Sequence, residues 1–142
     1  EIVHMPIGAP LKLQPGRWQT GYRWIRAVES GQLYELRMTT QVTSEAPHVK
    51  VETRLRVGQQ EVGSGVTQSV SQPLETGGSH HSPVTALGLW KAERTGNVEF
   101  AADFRVEPQT STAQGVLLDG DPAVPYGRFS LIRYGRWPAA GE

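Results

Sequence analysis

The sequence predicts an all-β domain, and three observations carry that prediction. Several stretches alternate between apolar and polar residues, no stretch repeats its apolar residues with a helical period, and turn-forming residues punctuate the chain. The 16 Gly and 10 Pro are spread along 142 residues with no linker or internal repeat, which points to a single domain, 1–142. About eight or nine strands at a spacing of ~8–12 residues are expected. Stacked as a two-sheet antiparallel β-sandwich, each strand buries one face and leaves the other in water.

Ile2 to Met5 and Tyr22 to Val28 read as strands interrupted by Pro15-Gly16, so residues 1–30 form an N-terminal arm or edge strands. From Leu33 to Val42, Tyr34, Leu36, Met38, Thr40 and Val42 share one side, with Glu35, Arg37, Thr39 and Gln41 on the other. After Glu45-Ala46-Pro47, the side chains of Val49, Val51, Thr53, Leu55 and Val57 oppose those of Lys50, Glu52, Arg54 and Arg56. Gly58-Gln59-Gln60 is a turn, Glu61-Val62 begins the return, and Val66 to Ser71 is a further run with Val66 and Val70 inward.

Gln72 to Pro83 has the composition of a loop, and Val84 to Ala92 is a more continuous apolar strand. Arg94-Thr95-Gly96-Asn97 reads as a hairpin turn. Beyond it, Val98, Phe100, Ala102, Phe104 and Val106 face in, with Glu99, Asp103, Arg105 and Glu107 out, until Pro108. Thr112 to Leu118 is a short strand and Asp119 to Pro122 a loop. Arg128 to Tyr134 is apolar on both faces through Phe129, Leu131, Ile132 and Tyr134, as a central strand would be.

Composition narrows the functions available. With no Cys there is no disulfide framework, thiolate metal site or cysteine nucleophile, and the compartment stays open. Lys+Arg and Asp+Glu both number 14, a balance that argues against a partner held through nucleic-acid phosphates. Only Lys12, Lys50 and Lys91 are lysine. The arginine excess suits ion pairs between chains, or reflects a GC-rich coding sequence. No apolar run approaches the ~20 residues of a membrane helix, so no membrane insertion is expected. The chain opens on Glu1 and not on an initiator methionine, as either a processed or an artificial end would.

Motifs that would carry chemistry are weak. His80-His81 are neighbours whose side chains point apart on an extended chain, so they read as part of a polar loop and not as a metal site. Asp119-Gly120-Asp121 lacks the further oxygen ligands of a calcium loop and reads as a turn. Gly63-Ser64-Gly65 is not the nucleophile elbow of a hydrolase. No catalytic residues, metal or cofactor are assigned, and a small hydrolase or isomerase is the least favoured reading.

The aromatic residues say more. Trp18, Tyr22 and Trp24 cluster with Arg17, Arg23 and Arg26, and Arg136-Trp137 repeats the combination near the other end. Trp18, Tyr22, Trp24, Arg136 and Trp137 are therefore the candidate contact residues. They would form either an exposed platform for a partner or sugar rings, or a cover over one end of the core with arginines stacked on it.

From His80 onward the order of features resembles trimeric jelly rolls of the tumour necrosis factor and complement globular-head type, domains also found in phage and viral surface proteins. The resemblance is carried by Thr95-Gly96-Asn97-Val98-Glu99-Phe100, the long strand ending in Arg105, Ser111-Thr112-Ala113, and Phe129-Ser130-Leu131-Ile132-Arg133-Tyr134-Gly135. It implies a jelly-roll fold, a homotrimer and no catalytic residues. Together these features favour a non-enzymatic structural or adhesive module on a virion or extracellular surface. Its partner would be a capsid or cell-surface protein, with a capsid decoration protein as the concrete case. A carbohydrate-binding module using exposed Trp and Tyr is the alternative.

Overall fold

The alternating stretches become strands. In the computed structural model, which describes residues 2–5, 11–14, 16–44, 50–68, 80–107, 117–119 and 128–136, none of those residues is helical. The strands are β1 (Ile2–Met5), β2 (Leu11–Lys12), β3 (Gln19–Val28), β4 (Gln32–Ser44), β5 (Lys50–Val57), β6 (Gln60–Gln68), β7 (His80–Lys91), β8 (Gly96–Val106), β9 (Leu117–Asp119) and β10 (Arg128–Arg136). Seven are long, and β1, β2 and β9 have four residues or fewer. All described ladders are antiparallel.

The order is β1-β10-β4-β7-β6-β5-β8-β3, with β9 beside β4 and β2 beside β9. The ladder is continuous, so the strands make one curled sheet where the sequence suggested two separate sheets. Alternation is satisfied all the same, because the two ends of the sheet cover each other. Tyr22 on β3 packs edge-on against Phe129 on β10, with ring centroids 6.3 Å apart. Its hydroxyl shares a 2.9 Å hydrogen bond with the Thr40 hydroxyl on β4. Tyr34 on β4 and Trp90 on β7 pack against Phe100 on β8. None of these pairs are ladder neighbours.

Glycine makes the bend possible between β6 and β7, which pair at Gly63↔Gly88 and Ser64↔Leu87. A Cβ at Gly88 would lie 2.5 Å from the Val62 carbonyl oxygen, and one at Gly63 or Gly65 would strike the carbonyl of Leu87 or Thr85. The two backbones can approach this closely only without side chains between them.

The inward faces match the pattern. Leu36, Met38, Leu55, Phe100, Phe104, Val106 and Phe129 are fully buried, and Lys50 to Val57 alternate buried with half-buried throughout. The strand predicted to be central, β10, lies between β1 and β4. Other boundaries change. Residues 80–83 belong to β7 instead of a loop, and residues 60–68 form a single strand. The segment around Arg94-Thr95 is not a hairpin turn, because β7 and β8 do not pair with each other. It crosses from one half of the sheet to the other, as does the β3–β4 connection. These two crossings hold each other: the Gly31 amide donates to the Ala92 carbonyl at 2.7 Å, and the Ser30 hydroxyl to the Glu93 carbonyl at 3.0 Å. Features expected at Val49 and Val70, and over residues 72–79, 111–113 and 120–122, lie outside the described residues.

Candidate functional site

The five contact residues expected from the sequence do not form one platform. A β-bulge in β3 explains much of this. The register with β8 shifts between Thr20↔Asp103 and Tyr22↔Ala102, so Gly21 is an extra residue. Before the bulge, Trp18 and Thr20 stand on the outer face; after it, Tyr22 and Trp24 point inward. Tyr22 is a core residue, 4% exposed. Trp24 packs on the core with the Arg26 guanidinium 4.9 Å from its ring. Arg136 ends β10 beside Gly31, at the end of the molecule where β3 finishes. Trp18 precedes the start of β3, roughly 30 Å away by strand rise. Trp137 lies outside the described residues.

What Trp18 joins is an ionic network on the outer face of β3, β8 and β5, which sequence reasoning missed. Asp103, expected to be exposed, is 2% exposed. Its carboxylate accepts hydrogen bonds from Arg54 Nε and Arg56 Nε, both at 2.8 Å, and from the Thr20 hydroxyl at 2.8 Å. Arg56 Nη1 also reaches Glu99 at 2.6 Å, and Glu99 takes a second arginine, Arg23, at 2.7 Å. Farther along, Arg105 donates to Glu52 at 2.6 Å. The Trp18 ring lies 4.3 Å from the Arg54 guanidinium and 4.5 Å from that of Arg105.

Register and one small residue build this network. Arg54 and Thr20 sit directly opposite Asp103 on its two neighbouring strands. Ala101, fully buried on the same outer face, leaves room for arginine side chains to lie between Glu99 and Asp103. Burial pushes the Asp103 carboxyl up, but the hydrogen bonds from Arg56, Arg54 and Thr20 outweigh it and hold the group below its ordinary value. Bonds from Arg23 and Arg56 lower Glu99, and the bond from Arg105 lowers Glu52. An alanine interrupting a run of outward charges was the one available signal. It means little until the opposing arginines are known to lie across from it.

The opposite outer face, over β7, β4 and β10, differs in kind. Leu87 and Leu89 stand two residues apart on β7, 54% and 58% exposed, and Tyr134 on β10 is 55% exposed. Between them sits Glu35, 7% exposed, directly opposite Leu89 on one side and Ile132 on the other. Its Oε2 accepts from Arg37 Nε and, at 3.0 Å, from the Tyr134 hydroxyl. An apolar surface thus surrounds a carboxylate that is already paired.

A third feature lies where the β5–β6 turn and the β7–β8 crossing meet. It is an open pocket of about 460 Å³, lined by Trp90, Val57 and Val98 together with Gln60, Glu93, Arg94, Asn97 and Glu99. A smaller one of about 390 Å³ opens at Ser30, Gly31 and Lys91. Nearby, Gln32 Oε1 is buried with no hydrogen-bond partner. Among the described residues, no group of three or more His, Cys, Asp or Glu is placed to hold a metal ion.

No helix among the described residues is long and apolar enough to cross a membrane. No protein-family model and no curated protein matches this sequence.

Proposed function

We propose that this chain is a non-enzymatic structural or adhesive module that works by contact, through the outer face of β7, β4 and β10, and that its first partner is a second copy of itself. The exposed row of Leu87 and Leu89, with Tyr134 across Glu35, carries the reading. Apolar side chains gathered on one face of a polar surface favour burial against a partner. Covering Glu35 leaves no unpaired carboxylate at the centre of this face, because it already holds Arg37 and Tyr134. The formal net charge of zero leaves no overall repulsion between copies.

The finer reading is a two-layer, jelly-roll-like domain in a threefold assembly. It is supported by the aromatic contacts between the two ends of the sheet and by a Greek-key-like return, in which β4 lies beside β7 at the far side of the consecutive run β5-β6-β7. The threefold number rests on the resemblance of the second half to trimeric domains. On this reading the module belongs on a particle or cell surface, virion decoration being one such role.

Light scattering over a concentration series tests the proposal. The wild-type chain should show a mass that is a multiple of the monomer, three being the favoured multiple. The double variant Leu87→Glu/Leu89→Lys, which sets each new charge opposite its complement on β4, should be monomeric and keep the all-β far-ultraviolet spectrum and a cooperative urea transition. A wild-type monomer at every concentration, or an assembly that the double variant leaves intact, would overturn it.

A further inference from the structure

We propose that the pocket at the β5–β6 turn is a binding site for a neutral carbohydrate, with Trp90 as its stacking platform. This goes beyond the contact surface above and involves a different part of the molecule. It also differs from the aromatic platform suggested by the sequence, whose members Tyr22 and Trp24 face the core.

The lining has the two halves a sugar requires. A pyranose ring has an apolar C–H face and an edge of hydroxyls. Trp90 is partly buried and, with Val57 and Val98, supplies an apolar wall. Gln60 and Asn97 supply amides, each offering a donor and an acceptor, the pairing that vicinal hydroxyls need. Neither amide side chain takes part in the hydrogen bonds described above. Glu99, also in the lining, has both carboxylate oxygens engaged by Arg23 and Arg56, and Glu93 is balanced by its neighbour Arg94. The site therefore has little net charge to attract an ionic ligand, and its volume of about 460 Å³ lies within the range of small-molecule sites.

The walls are also fixed before any ligand arrives. Gly58, with φ of 57°, makes the turn; its amide donates to the Glu99 carbonyl at 2.8 Å, and its carbonyl accepts from Arg56 at 2.9 Å. Trp90 is wedged against Tyr34 and Phe100, with ring centroids 5.9 and 5.8 Å away. A site whose backbone and apolar wall are already in place, with only the two amide side chains left to order, loses less affinity to conformational entropy.

Titration of the full chain with cellohexaose, laminarihexaose, hexa-N-acetylchitohexaose and mannohexaose, followed by calorimetry, tests the proposal. At least one should bind saturably, with a Kd of roughly 10–500 µM. Replacing Trp90 would disturb the core, so the diagnostic variant is Gln60→Ala/Asn97→Ala, at two exposed positions. It should weaken binding about tenfold, or about 1.4 kcal/mol, with an unchanged urea midpoint. Trp18→Ala, on the outer face, should leave affinity unchanged. Silence across the panel, full affinity in the double variant, or loss of binding in Trp18→Ala alone would overturn the assignment. The mass of the assembly is a separate readout, so either proposal can fail without the other.

Discussion

Asp103→Asn tests the ionic network most directly, because the substitution keeps the shape and removes the charge. The carboxylate accepts from two arginines and a threonine while 2% exposed. A hydrogen bond to a charged group contributes about 1.5–3 kcal/mol, and removing one partner of a buried pair costs about 3–5 kcal/mol. Two features reduce that figure here. The Arg54 side chain is 32% exposed and can be hydrated, and Arg56 keeps its bond to Glu99. The expected loss is therefore about 2–4 kcal/mol at pH 7.

The dependence on pH gives the test its sign. Asp103 titrates below its ordinary value in the folded chain. Its stabilisation is then complete above the unfolded carboxylate value of about 3.9, and is lost as pH falls through the lowered native value. Urea unfolding of wild type and variant at a series of pH values should show the full gap at neutral pH and a narrowing gap in acid. Glu99 and Glu52, also lowered, sharpen the acid sensitivity of the wild type in the same direction. A gap below about 0.5 kcal/mol at pH 7 would place the pairs among surface ion pairs of no consequence. A gap independent of pH would show that Asn fails for steric reasons and that charge is not the cause.

Two further substitutions probe the fold. Gly65→Ala drives a Cβ into the Thr85 carbonyl, so β6 and β7 must separate; the expected cost is about 2–4 kcal/mol in urea, and a neutral result would show that the crossing is not tight. Trp24→Ala should lower stability by about 3 kcal/mol and weaken assembly only in proportion, since the ring packs on the core; loss of assembly with normal folding would return Trp24 to the interface.

The parts of the fold set by strand period were legible in advance, and those set by pairing were not. Tyr34 to Val42 and Lys50 to Val57 needed only their alternation, because a residue's face follows from its neighbours along the same strand. The connection after β7 looked like a hairpin because Arg94-Thr95-Gly96-Asn97 has turn chemistry. Turn chemistry says that the chain reverses, not which strand it then pairs with. The face of Trp18 was unreadable for another reason. Residues 18, 20, 22 and 24 share a phase in the sequence, and the extra residue at Gly21 inverts it halfway. Asp103 looked like one more outward charge until register placed Arg54 and Thr20 on either side of it. Trp90 was visible only as the end of an apolar strand, since its pocket is assembled from two connections distant in sequence.

The same features bear on how copies would meet. Among the described residues the curled sheet does not close into a barrel; its main path ends on β1 and β3, and two-residue β2 ends the short branch through β9. An open edge invites strand addition, the usual route to uncontrolled association. β1 has four residues, too few for a long template. β3 has ten, but it carries the Gly21 bulge and points Arg26 inward beside Trp24. A bulge interrupts the regular row of amides and carbonyls, and an inward charge on an edge strand penalises a strand laid against it. The network over β3, β8 and β5 consumes the charges on that outer face in internal bonds. With edge addition disfavoured, and with the exposed Ile25 standing alone among ion pairs on that face, the apolar row on β7 is the surface through which the proposed assembly would gain most from burial.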